Sequence, residues 1–300
     1  MMMILAGIIL FLSIFCVVGM ICAMRKQAPV QVSTREYIQL TISGIIAFMA
    51  DTFGVGSFAV NVALAKMFGT FSDEELPAVV NGAQVVPGII EAIFFMQFVD
   101  VDVKTLLVLV LGTCIGGVCG GKVVSYTEKQ HIRLVMLMCF SVLVMLLIGY
   151  QMNWFPIAGE ATSLDGWRLG VGFLGMMLCG ALTSVGVGLF VMIQSVLFLL
   201  GVSPEVAFPI MTIAGAMQQP LTTLVFLKEQ KIPLKKTMIL SVAGCLGVFF
   251  ALPIFNELSE HALRTLLLAI LVYNVVSIGR AYVKEQRNTD RLDDRLLELS

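Results

Sequence analysis

Gly54-Val55-Gly56-Ser57 and Gly186-Val187-Gly188-Leu189 repeat one pattern 132 positions apart, each in the middle of a long apolar stretch. Glycine weakens a helix and leaves the N–H groups around it sterically open. A helix that restarts after such a break has four N–H groups with no intrahelical acceptor, and its aligned peptide dipoles add about half a positive charge at that end. The natural guest is an oxyanion. Ser57 beside the first break, and Thr183 and Ser184 before the second, bring hydroxyls to the same places. Gly54, Gly56, Ser57, Thr183, Ser184, Gly186 and Gly188 are therefore candidate anion-binding residues. A lone GxG would more simply allow close helix packing. Recurrence, excess segment length and adjacent hydroxyls weigh here towards a site.

Each break is followed by an apolar segment with a polar stripe. Asn81, Gln84, Gly88 and Glu91 fall on one helical face, and Thr212, Gly215, Gln219 and Thr222 form a similar face in the second half. Asn81, Gln84, Gln218 and Gln219 are added to the candidate binding residues, with interhelical hydrogen bonding as the open alternative. Asp51 and Glu91 are the acidic residues placed deepest in apolar sequence, where carboxylates are costly and often functional. Asp51 precedes Gly54 by three residues, and an ionised carboxylate there would repel an anionic guest. That points to proton coupling through Asp51, with Glu91 as a second carboxylate. The alternatives are an Asx-type cap or turn at the end of the first half-helix for Asp51 and a snorkelling side chain for Glu91.

Other chemistries find less support. Cys16, Cys22, Cys114, Cys119, Cys139, Cys179 and Cys245 form no CxxC and no metal-ligand spacing, so neither a metal nor a cofactor is expected. Catalysis by Ser57 or Ser184 would need a base, but His131 and His261 fall in predicted loops, and neither HExxH nor GxSxG occurs. The chain is not read as an enzyme. No basic patch interleaved with aromatics suggests nucleic acid.

The positioning elements follow from composition. With 58% hydrophobic and 13% charged residues and a mean hydropathy of +0.96, the chain cannot carry the charged surface of a soluble domain. Apolar runs long enough to cross about 30 Å of hydrocarbon recur along it. The expected fold is an all-α, polytopic membrane protein of two repeated halves plus an extra N-terminal helix. Its expected parts are 1–36 (a transmembrane helix and a cytoplasmic loop), 37–152 (the first half), 153–167 (an extracytoplasmic linker containing Asn153, Pro156, Gly159, Glu160 and Asp165), 168–283 (the second half) and 284–300 (a cytoplasmic tail). Residues 1–24 read as a retained helix with its N-terminus outside. The charged tail from Tyr282 reads as a short amphipathic helix or as disorder.

Segments 37–68 and 168–200 would each be roughly 48 Å long as one helix, well beyond the hydrocarbon core. Each either crosses once, making the halves parallel, or folds back at its glycines, making them inverted. Re-entrant folding leaves 16 of the 19 Lys and Arg residues on the cytoplasmic side and 3 outside; single crossing gives 14 and 5. The positive-inside rule favours inversion.

The duplicated GxG segments, the short hydrophobic halves and the loop between them resemble the sulfite exporter (TauE/SafE) family of bacterial membrane permeases, whose halves carry a G-x-G-G-G type motif. The resemblance runs over roughly residues 37–280. Ser57 and Leu189 stand where the family usually has a further glycine, and the proline that often follows is missing from Phe58-Ala59-Val60-Asn61 and Phe190-Val191-Met192-Ile193. The resemblance implies secondary transport of sulfite, organosulfonates or similar small anions across the cytoplasmic membrane; an uncoupled channel-like permease and a non-transporting membrane subunit remain alternatives. The expected partners are a small anionic substrate, the lipid bilayer and protons, with oligomerisation open.

Overall fold

In lipid a backbone must satisfy its hydrogen bonds within the segment or within a closed barrel, and long apolar runs with few breakers do so as helices. A computed structural model describes residues 2–27, 30–95, 101–152, 154, 159–229, 232–257 and 260–298. The described residues form eleven α-helices: α1 (Met2–Lys26), α2 (Thr34–Thr52), α3 (Ser57–Phe68), α4 (Leu76–Phe95), α5 (Val103–Ser125), α6 (Lys129–Gln151), α7 (Gly166–Thr183), α8 (Leu189–Leu199), α9 (Pro204–Lys228), α10 (Leu234–Ala251) and α11 (Glu260–Glu298), with a 3₁₀ turn at Leu252–Glu257. Among the described residues, eight stretches are long and apolar enough to cross a membrane. The fold is all-helical and polytopic.

Local chemistry sets several boundaries. Ser33 caps α2 by accepting the Glu36 N–H at 3.2 Å. Asp102 caps α5, accepting from the Thr105 N–H at 2.8 Å and the Thr105 hydroxyl at 2.7 Å; these two donors hold its carboxyl below the usual carboxylate range. Some boundaries differ from expectation. His131 lies in the first turn of α6 and the His261 backbone at the start of α11, so neither is in a loop. The tail is no separate element either: α11 continues to Glu298, since nothing beyond Gly279 in its sequence breaks a helix. Asn153 and Pro156 of the linker lie outside the described residues.

The two glycine-broken segments turn back on themselves. Lys236 of α10 bonds both Glu36, in the first turn of α2, at 2.6 Å and the Thr70 carbonyl, just past α3, at 3.1 Å. The start of α2 and the end of α3 therefore lie at one rim. In the second hairpin, Ala161, before α7, pairs with Val202, after α8, and a Cβ on Gly175 of α7 would lie 2.8 Å from Val196 of α8. Other contacts sort onto the same two rims. Gln27 with Ile232, Lys235 with Val30, Tyr126 with Glu229 and Lys129 with Glu74 join the first; Lys104 with Asp165 and Thr105 with Leu164 join the second.

Packing between the two stretches pairs off. The α2–α10 contact is matched by α7–α5, and α4–α10 by α9–α5, while α4 meets α9 and α6 meets α11. Close approach makes the strongest of these contacts. A Cβ on Gly112 would lie 2.6 Å from the Phe173 carbonyl oxygen, and one on Gly116 or Gly180 would run into backbone of the facing helix. Between helices in lipid, van der Waals packing of this kind supplies the attraction that burial supplies in water.

Gly116→Ala should therefore destabilise the purified protein by about 1–3 kcal/mol, because backbone cannot yield as a side-chain tip does. Gly170→Ala, on an exposed face of α7 with nothing near the added Cβ, should leave the melting temperature unchanged or raise it. Equal melting temperatures for the two variants would show that the α5–α7 contact is looser than drawn here.

Candidate functional site

At the first hairpin, α2 ends at Thr52 and the chain turns through Gly54 and Gly56, with φ of 81° and 90°. The turn is closed by the Gly54 N–H donating to the Asp51 carbonyl at 2.8 Å and the Val55 N–H to the Ala50 carbonyl at 2.9 Å. It brings the Asp51 side chain over the start of α3. Asp51 Oδ1 accepts the Ser57 N–H at 2.7 Å, and Oδ2 accepts from Gln84 Nε2. The Ser57 hydroxyl donates to Gln84 Oε1. Beside them, Thr52 Oγ1 lies 2.9 Å from Glu91 Oε1 and 3.0 Å from the Phe48 carbonyl, and Gln84 Nε2 lies 3.5 Å from Glu91 Oε2. All five side chains are buried. The cap or turn expected of Asp51 lay at the end of the first half-helix; its carboxylate instead sits on the start of the second, α3, at the N-terminus that an anionic guest was expected to fill.

At the second hairpin the turn recurs, with the Gly186 N–H donating to the Thr183 carbonyl at 2.9 Å and φ of 96° at Gly186. Its hydroxyls point elsewhere than expected. Thr183 Oγ1 donates to the Cys179 carbonyl at 2.8 Å, and Ser184 Oγ lies 2.9 Å from the Gly117 carbonyl and 3.2 Å from that of Gly180. Both satisfy backbone carbonyls, as Ser and Thr do inside apolar helices. The two tips adjoin, since a Cβ on Gly188 would lie 3.9 Å from the Phe58 Cβ. Gly56 and Gly188 differ in what they require. Gly56 has φ of 90°, which strains any L side chain, whereas Gly188 has φ of −57° and ψ of 128°, open to all residues.

The amides gather around α4 and α9. Asn81 Nδ2 donates to the Pro77 carbonyl at 2.8 Å and to the Thr183 carbonyl of the second hairpin at 3.2 Å. Gln218 Nε2 donates to Thr222 Oγ1 at 2.6 Å. Asn81 Oδ1, Gln218 Oε1 and Gln219 Oε1 are buried without a hydrogen-bond partner. Gln219 Oε1 flanks Gly88, beside Gln84. A cavity of about 540 Å³ opens at the first rim, lined by Gln27, Glu74, Glu75, Lys129, Ala78 and Phe226 among others. Asn81 lies one helical turn deeper than Ala78 on α4, and Thr222 and Thr223 one turn deeper than Phe226 on α9.

Two participants escaped the sequence reading. Thr52 touches Glu91, and Asn274 of α11 ties its Nδ2 to the Ala59 carbonyl of α3 at 2.8 Å. The first was legible as a hydroxyl next to Asp51; the second needs the packing of α11 on α3. For catalysis the arrangement offers little, since Ser57 and Ser184 are engaged as above and His131 stands exposed with Glu128 at 3.8 Å.

A chain with helices for crossing lipid and glycine-broken hairpins meeting inside has the parts of a permease. No curated protein and no solved structure matches it. The description "Sulfite exporter TauE/SafE" belongs to a family whose sequence profile matches residues 1–152, from α1 through the first hairpin to the end of α6. The chain therefore belongs to the sulfite exporter TauE/SafE family, a family of membrane permeases.

Proposed function

We propose that this permease is a secondary transporter of sulfite, organosulfonates or similar small oxyanions across the cytoplasmic membrane, working by alternating access and driven by protons. The observation that carries this is the meeting of two glycine-broken hairpins inside the bundle, where half-helix N-termini hold anionic groups. The halves at 37–152 and 168–283 act as inverted copies. Supporting this are the two rims, which place both ends of each hairpin on one side, and the 16-to-3 partition of Lys and Arg that follows. The N-terminus is then outside, the tail cytoplasmic, and the 540 Å³ cavity an inward-facing vestibule.

The coupling groups are Asp51 and Glu91, and hydrogen counting separates them. Asp51 accepts two N–H donors, which suits a carboxylate. Thr52 has one hydroxyl proton and two oxygen neighbours, of which the Phe48 carbonyl can only accept. That one proton and the Gln84 amide at 3.5 Å are all that Glu91 has to meet a charge, fewer donors than Asp51 has, so the exchangeable proton is assigned to Glu91. The cap role of Asp51 supports a second reading, an uncoupled anion permease in which both carboxylates only hold the hairpin.

In proteoliposomes loaded with sulfite, an imposed pH gradient should drive flux in the parent. Glu91→Gln should retain sulfite exchange but lose the response to the gradient; gradient-driven flux equal to the parent's would leave the uncoupled reading standing. Gly188→Val should cut flux at least about tenfold in a folded, inserted protein, because the backbone there accepts any residue. Gly56→Val should instead fail to yield stable protein. Undiminished flux in Gly188→Val would make that glycine a spacer only.

A further inference from the structure

The internal repeat contains its own comparison. The offset of 132 that superposes Gly54 on Gly186 and Gly56 on Gly188 sets Thr183 opposite Asp51 and Leu189 opposite Ser57. With the slip of one residue in the following helix, Met217 stands opposite Gln84 and Leu224 opposite Glu91. One half has a complete capping network; the other keeps only a hydroxyl, Ser184 opposite Thr52, and has neither carboxylate, nor the amide, nor the serine. At the first tip a carboxylate sits on the leading N–H of α3 at 2.7 Å. At the second, Thr183 turns its hydroxyl away to the Cys179 carbonyl, and among the described residues no side chain accepts the N–H of Leu189, which opens α8.

The neighbouring polar groups carry the same difference. Around the first tip Asp51, Thr52, Ser57, Gln84 and Glu91 all have partners; the unpartnered amide of Asn61 lies one turn further along α3, beside Ser43 and Thr70. Around the second, two buried amides do not. Asn81, fully buried, reaches the tip through the Thr183 carbonyl and leaves Oδ1 unpartnered. Its orientation is fixed, because both neighbours of Nδ2 are carbonyls. Gln219, 2% exposed, has Oε1 unpartnered; its amide and the Leu189 side chain flank Gly215, at 3.2 and 3.4 Å from where a Cβ would stand. Buried orphan groups of this kind are costly unless a ligand or water meets them.

We propose that the protein holds one anion per chain, at the N-terminus of α8 alone, and that Asp51 is a tethered anion filling the equivalent place on α3. This rests on the transport reading above and locates its binding step. The guest's anionic head takes the Leu189 N–H, as the Asp51 carboxylate takes that of Ser57. The unpartnered oxygens of Asn81 and Gln219 accept from a hydrogen that the guest brings, so the class is a small oxyanion with an O–H or N–H donor of its own. Pro77 and Met136, which lie against Gly186, supply an apolar wall.

The test deletes one N–H. Position 189 is the first residue of α8, where proline fits, and Gly188 before it already has the extended backbone that proline demands. Leu189→Pro thus removes the donor and leaves the helix, while Leu189→Ala removes the side chain and keeps the donor. Binding of hydroxymethanesulfonate and methanesulfonate to the purified full-length protein is followed by titration calorimetry. The parent should bind one equivalent of hydroxymethanesulfonate, more tightly than methanesulfonate. Leu189→Pro should bind about tenfold or more weakly than Leu189→Ala, the loss of one charge-assisted hydrogen bond. Thr183→Asp, which installs the tethered carboxylate in the second hairpin, should abolish binding with the melting temperature kept. Two equivalents per chain, or equal affinity in the Pro and Ala variants, would overturn the assignment to α8, and equal affinity for the two sulfonates would overturn the donor requirement. A parent that binds neither sulfonate nor sulfite would instead sink the transport reading itself.

Discussion

The fold depends on what becomes of an N–H group when a helix restarts inside lipid. With no water to accept it, such a group left alone costs several kcal/mol. At α3 the Ser57 N–H is met by the Asp51 carboxylate. That choice brings its own cost, because a buried carboxylate must in turn be satisfied. Gln84 supplies the second donor, and holding Gln84 in place requires α4 to lie along the hairpin with its polar face inward. Glu91, two turns along the same face, then comes to Thr52. One backbone donor thus dictates the composition of a buried network spanning α2, α3 and α4.

The glycines divide by physical task. Gly112, Gly116 and Gly120 of α5, Gly180 of α7 and Gly247 of α10 are helical, and what makes them glycine is the facing backbone. They let the long limb of each hairpin lie against a helix of the other half, α7 on α5 and α2 on α10. Gly54, Gly56 and Gly186 are glycine because of positive φ. Gly188 fits neither group, having ordinary dihedrals and room for a Cβ.

The periodic features were readable before any coordinates. The offset of 132, the overlong segments at 37–68 and 168–200 and the polar stripe through Asn81, Gln84 and Glu91 follow from residue types and spacing alone, and they lead to an all-helical membrane protein and to the residues that crowd the tips. Partner choice was less accessible. Asp51 could cap or carry a proton on the same sequence, and only the approach of Ser57 and Gln84 shows the cap. The hydroxyls of Thr183 and Ser184 looked like ligands because their preference for a carbonyl one turn back, with Gly117 as a further acceptor, depends on the helix ending where it does. His131 was misplaced for a similar reason: α6 begins at Lys129, so polar residues that read as a loop form its first turn.

Divergence of the two tips has an electrostatic consequence. The tips adjoin at Phe58 and Gly188, so identical tips would hold two like charges roughly one helix diameter apart, about 10 Å. At an effective dielectric of about 20 such charges repel by about 2 kcal/mol. A tethered carboxylate at one tip repels a guest at the other just as a second guest would, unless a proton joins the carboxylates. Glu91 lies within the same network as Asp51, through Gln84 and Thr52, so a proton taken there, as proposed above, would offset the charge that opposes an anion. By reciprocity the anion must favour the proton by the same free energy. On the proposed reading, an anion at α8 and a proton at Glu91 are thus linked by charge across the adjoining tips, without any moving part between them.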